Sequence, residues 1–312
     1  MARSSSPVTT RSAPESVSTD PGARVLLVGG HESADGADLA RFERPAQRVS
    51  AATPGRVFHN SVSSALDAGE TVVVVPMTFG RNPTMVSDTA KTLKWLSSRH
   101  HGRIALAAPF GQFDHLTAWL RTAAVRARAE DAETALLIVA PHSDPFDEAE
   151  LHRVAYLVAT HGALAEVMVA IADDAESVAA SVSRLHRLGV HRIATVPAGF
   201  AVTVPEADAD YVGPLMSDAA IERVIRTRVR DALAALAAGH DGIDDGLASD
   251  HGHGYAHSHA FEESQGRVHP HAHPHGPSHT HTHTHTHTHE HEHEHEQPHG
   301  AEPATRLHEH QH

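Results

Sequence analysis

The chain has 312 residues and no cysteine, which excludes a disulfide framework, a thiolate zinc site and a cysteine nucleophile; a reducing compartment, the cytoplasm, is the expectation. Its 25 Lys and Arg stand against 39 Asp and Glu, a formal charge of −14 that argues against a phosphate backbone as partner. No run approaches the ~20 apolar residues of a membrane span, and the first residues lack the apolar core of a signal peptide, so neither nucleic acid nor membrane is an expected partner.

Residues 1–22 are rich in Ser, Thr, Pro and Arg, bury too little to offset the entropy of ordering, and are expected to be disordered. Strands are then predicted at Val25–Gly30, Arg56–His59, Thr71–Pro76, Arg103–Pro109, Leu136–Pro141, Glu166–Ile171, Arg192–Pro197 and Asp210–Gly213. Between them lie amphipathic windows such as Ser87–Ser98 and Leu151–Thr160, whose apolar spacing predicts helices. The runs VLLVGG, TVVVVP and LLIVAP are nearly all apolar, as parallel strands covered on both faces must be, so the fold class is α/β. From about 240 no hydrophobic face remains, and residues 240–312 are expected to form a disordered tail; 21 of the 32 histidines lie at or after His251.

The two halves of the middle match each other. VLLVGGHESADGADLARF at Val25–Phe42 aligns with LLIVAPHSDPFDEAELHRV at Leu136–Val154, placing His31 opposite His142. TVVVVPMTFG at Thr71–Gly80 aligns with RIATVPAGFA at Arg192–Ala201, and Ala105–Arg128 aligns with Asp210–Ala232. Blocks repeated in one order at this length predict two similar domains, 23–131 and 132–239, facing across a cleft, each with a parallel sheet of four strands flanked by helices. Ligands of such sheets sit beyond the carboxyl ends of the strands, where His31 and His142 both fall.

On these residues the chain resembles the class II tetrapyrrole chelatases, the sirohydrochlorin cobaltochelatase and ferrochelatase family, in its two-domain form. The resemblance is carried by a strand ending in Gly30-His31 with Ser33 behind it, by the VVVVP block, and by Ala108, Pro109 and Gly111 opening a helix. The second half repeats them as Pro141-His142-Ser143, Thr195-Val196-Pro197 and Gly213-Pro214-Leu215, so that the likeness covers about 25–235. It implies insertion of a divalent metal, Co2+ favoured and Fe2+ or Ni2+ admitted, into a sirohydrochlorin or precorrin-like tetrapyrrole of cobalamin or siroheme biosynthesis, a lyase reaction. The metal is substrate, and neither ATP nor an organic cofactor is called for.

Imidazole suits that chemistry, because it ligates these cations and titrates near neutrality. His31 and His142 are therefore the candidate catalytic and metal-ligating residues. Glu32 is a candidate oxygen ligand or proton acceptor, the alternative being a solvated loop carboxylate. Arg81 is a candidate for pairing with tetrapyrrole carboxylates, the alternative being a solvent-facing arginine. The family carries a second histidine after the VVVVP block, whereas PMTFGRNPTMVSD has none and places Asn82 and Thr84 there. That departure keeps two classes open: an active chelatase, or a non-catalytic metal-storage or metallochaperone protein retaining the fold. In the tail, His279, His281, His283, His285, His287, His289, His291, His293 and His295 alternate first with Thr and then with Glu, offering many overlapping, unselective metal sites.

Overall fold

The computed structural model describes residues 23–161, 164 and 166–249. The expectations for residues 1–22 and for the tail histidines therefore fall outside the described residues. The first half runs β1 (Ala23–Gly29), β2 (Val49–Ala52), α1 (Arg56–Asp67), β3 (Thr71–Met77), α2 (Pro83–Ser97), β4 (Ile104–Leu106) and α3 (Phe113–Glu130). The second runs β5 (Ala135–Ala140), α4 (Pro145–His161), β6 (Val167–Ile171), α5 (Ala175–Arg187), β7 (Ile193–Pro197), β8 (Asp210–Tyr211) and α6 (Asp218–Ala237), followed by a short α7 (Ile243–Leu247).

Each half builds a wholly parallel sheet of four strands, in the orders β2-β1-β3-β4 and β6-β5-β7-β8. The sequence repeat is thus a repeat of topology. Alternation along the strands sorts the side chains into layers. Leu26, Val28, Val72 and Val74 face outward onto Phe58 and Val62 of α1 and Leu93 of α2. Leu137 and Val139 face outward onto Val178, Val182 and Leu185 of α5. The opposite residues, Val25, Leu27, Val73 and Val75 of one sheet and Leu136, Ile138 and Val196 of the other, belong to a single core with α3, α4 and α6.

That core joins the halves by exchange. The helix ending the second half, α6, lies against β3 and β4 of the first, while α3, ending the first half, lies against α4, β5 and β7 of the second. Arg228 of α6 donates to the Phe110 carbonyl at 3.2 Å, pinning the exchange at one end. Residues 23–249 lie within one compact unit.

Two expectations are corrected. Arg56–His59 is not a strand but the first turn of α1, whose buried Phe58, Val62, Ala65 and Leu66 recur at helical spacing; four residues were too few to reveal the period. The edge strand is instead Val49–Ala52, half-buried and too weakly apolar to stand out. The folded chain also continues past 240. The Leu106 N–H donates to the Asp241 carbonyl at 2.7 Å, and Ile243 is fully buried where α7 packs against α2 and β4. Gly242 makes this approach possible, having φ +72° and standing where a Cβ would lie 2.2 Å from the Leu106 oxygen. A five-residue helix carries too few apolar positions for its burial to be read in advance.

Candidate functional site

The loops after β1 and β3 meet the loop after β7 and the start of α4. The two segments aligned in sequence touch directly: the rings of Phe79 and Phe200, equivalent residues of the two halves, stack with centroids 5.2 Å apart, and Phe110 meets both edge-on. Beside this aromatic seam lie His31, Glu32, Thr78, Arg81 and Asn82 from the first half and Asp144 and Asp147 from the second.

Glu32 is buried. Its carboxylate accepts from the Thr78 hydroxyl and from the Phe79 N–H at 3.1–3.2 Å, and its own carbonyl accepts from the Phe200 N–H at 2.9 Å. Burial pushes its pKa upward, opposed by the Arg81 guanidinium and those hydrogen bonds. Of the two readings of Glu32, the solvated loop carboxylate does not describe this position. Arg81 is wholly enclosed, and Nη1 donates to the Ala198 carbonyl at 3.3 Å while Nε and Nη2 have no hydrogen-bond partner. It is a cation held inside the seam, neither facing solvent nor open to a substrate carboxylate in this conformation.

His31 follows β1 on a short 3-10 turn. Its Nδ1 is 3.1 Å from Asn82 Nδ2, and its buried Nε2 has no hydrogen bond, the nearest carboxylate oxygen being Asp147 Oδ2 at 3.8 Å. Burial, followed by the Arg81 charge, pulls its pKa down to about 4. Asp147 is pushed up to about 8 by burial and then by Asp144. Burial also works against Asp144, yet its hydrogen bonds with Asp147 and Phe146 hold its carboxyl below the usual range. Between about pH 4 and 8 the His31–Asp147 contact is therefore one of neutral groups rather than an ion pair.

A cavity of about 350 Å³ opens beside His31, Glu32 and Asp38, walled on the other side by Pro141, Asp173, Pro197 and Gly199. Its volume lies within the usual range for small-molecule sites. Its charged walls are acidic and contain no Lys or Arg, which favours a cation over an anion. His142 does not line it: that ring is 64% exposed against 15% for His31, and its Nδ1 lies 3.2 Å from Glu148 Oε1. The two strand-end histidines are thus not brought together, and among the described residues no group of three or more His, Asp and Glu converges as a metal-ligand set.

No protein-family model matches the chain, and no curated protein matches its sequence. Solved structures do. SirB from Bacillus subtilis with Fe3+ is similar at 14% identity over 70% of this chain and 98% of that one, with a TM-score of 0.47. The sirohydrochlorin chelatase SirB from Bacillus subtilis subspecies spizizenii in complex with cobalt is similar at 14% identity over 70% and 97%, TM-score 0.39. A multi-domain Deinococcus radiodurans protein described as structurally similar to chelatases is similar at 14% identity over 67% and 54%, TM-score 0.34.

Asp144 and Asp147 were not singled out by sequence reasoning. In DPFDEAE they read as an ordinary helix start, and Asp144 does cap α4 through the N–H groups of Phe146 and Asp147 at 2.9 and 3.2 Å. Their second role, facing His31 across the seam, depends on how the halves dock. No spacing within one half contains that.

Proposed function

We propose that this chain inserts a divalent cation into a sirohydrochlorin-type tetrapyrrole, with Co2+ the favoured metal and Fe2+ or Ni2+ admitted. One observation carries the reading: His31 of the first half lies 3.8 Å from Asp147 of the second, beside a cavity at the carboxyl ends of the strands whose charged walls, Glu32, Asp38 and Asp173, are acidic. Insertion requires a cation to be held loosely while two pyrrole protons leave. A single imidazole beside carboxylates supplies weak, exchangeable ligation, and the Asp144–Asp147 pair, of which Asp147 retains its proton to about pH 8, supplies a relay once one member is ionised. Arg81 and Glu32 fix the loop that carries His31 and keep the seam closed to water. The tail imidazoles raise the local cation concentration as tethered ligands.

The second reading, a metal store that retains the scaffold, is favoured by Asn82, which presents an amide where a ligating imidazole would stand. The two separate in one assay: sirohydrochlorin incubated with Co2+, Fe2+ or Ni2+ and followed by its visible spectrum. Insertion faster than in buffer, lost in His31→Ala, supports the enzyme. Tight metal binding without acceleration supports the store.

A further inference from the structure

Asn82 touches its surroundings through both ends of its amide. It stands at the N-cap of α2, where Oδ1 accepts from the Met85 N–H at 3.1 Å. A backbone N–H only donates, so this contact decides which end of the amide is oxygen. The other end, Nδ2, lies 3.1 Å from Nδ1 of His31. Since an amide nitrogen also only donates, Nδ1 has to accept, and a neutral imidazole accepting at Nδ1 carries its proton on Nε2. The backbone is shaped for this approach: a Cβ on Gly30 would stand 2.2 Å from Asn82 Nδ2.

We propose that Asn82 is a positioning residue that holds His31 in the Nε2–H form, so that a cation reaching Nε2 must displace a proton and turn the amide over. Turning it gives up the helix-cap contact to Met85. A ligating histidine ordinarily donates its other ring N–H to an acceptor, which fixes the tautomer in the metal's favour. Asn82 offers a donor there instead, weakening the hold of His31 on any cation and easing its transfer to a competing macrocycle. This use of the tautomer rests on the insertion reading; the tautomer itself does not.

The test is Asn82→Asp, which keeps the size and the N-cap, Asp and Asn being equivalent there, while replacing the donor with an acceptor. Ring-nitrogen NMR of the full-length protein reads the tautomer, the His31 signals being identified by their loss in His31→Gln. The wild type should carry its His31 proton on Nε2, and in Asn82→Asp a proton should appear on Nδ1. A wild-type proton on Nδ1, or a variant unchanged at Nδ1, overturns the proposal. With free Zn2+ fixed by a metal buffer, so that the tail cannot deplete it, the concentration that shifts the His31 ring signals should fall on the order of tenfold in Asn82→Asp. Equal concentrations for the two proteins would overturn the weakened hold. Absence of turnover in the wild type would count against metal insertion alone, because neither NMR readout depends on it.

Discussion

The loop after β3 and the loop after β7 descend from one motif and now do different work. In the first half, PMTFGRN supplies the Thr78 hydroxyl and Phe79 N–H to Glu32, the enclosed Arg81, and the amide that meets His31. In the second, PAGFAVT supplies mainly backbone: the Ala198 and Phe200 carbonyls accept from Arg81 and Arg41 at 3.3 and 2.7 Å, and the Phe200 N–H donates to Glu32. Gly199, aligned with Thr78, lets the loops touch, since a Cβ there would meet the Glu32 oxygen at 2.3 Å. The strand-end histidines follow the same division, one enclosed and one exposed. Of the two aligned loops, one contributes side chains to the seam and the other mainly backbone.

The largest expected effect breaks that comparison at aligned positions. Arg81→Ala should cost about 2–5 kcal/mol in chemical denaturation, because it empties a wholly enclosed site and strips the buried Ala198 carbonyl of its Arg81 donor. Val202→Ala, its half-exposed counterpart, should stay within roughly 0.5 kcal/mol; equal losses would refute the division. In the insertion assay His31→Ala should lower turnover by at least about 100-fold, the scale of a lost acid–base group. His142→Ala should leave most of it, and a comparable loss in both would restore His142 to the reacting centre. Gly199→Ala should destabilise by about 1–3 kcal/mol through the clash with Glu32. Its circular-dichroism melt and its turnover should fall together, as befits a support.

The pH dependence sharpens the same contrast. The Asp147 pKa is raised, so the unfolded chain ionises above about 4 while the native state keeps its proton to about pH 8. The native state therefore loses stability as pH rises through that window. Asp147→Asn, which cannot ionise, should gain on the wild type in melting temperature between pH 4 and 8, and a constant difference would contradict the placement. The His31 pKa is lowered, so native stability falls as pH drops from 6.5 toward 4. His31→Asn should gain on the wild type in that direction. The smallest effect on the folded part belongs to deletion of 250–312, which should leave the melt and the turnover at saturating metal nearly unchanged. The same deletion should remove most of the metal bound at pH 7.5, and below about pH 6 the intact tail should release its metal as its imidazoles protonate.

Much of the fold was legible because parallel strands buried on both faces leave near-continuous apolar runs, and seven of the eight predicted strands hold residues that pair in the two sheets. Val49–Ala52 was missed since an edge strand needs little apolar content. In the candidate site, His31 and Glu32 stood out by their place at a strand end, and Asn82 by standing where the resemblance called for a histidine. Asp144, Asp147 and the burial of Arg81 were not legible, because each depends on contacts between residues far apart in sequence. His142, identical in motif position to His31, shows the limit from the other side: a local pattern gives the strand end, and only docking decides which end is enclosed.

The exchange of α3 and α6 also sets an order of events at the ribosome. The inner face of the first sheet is complete once Leu106 has emerged, yet its covering helix ends at Ala237, 131 residues later. At about 5–20 residues per second that face waits on the order of 7–26 s for its partner. The N-terminal sheet thus has its full complement of strands well before α6 arrives to pack on β3 and β4. A chain halted between the halves would present a bare apolar sheet to chaperones and to other nascent chains.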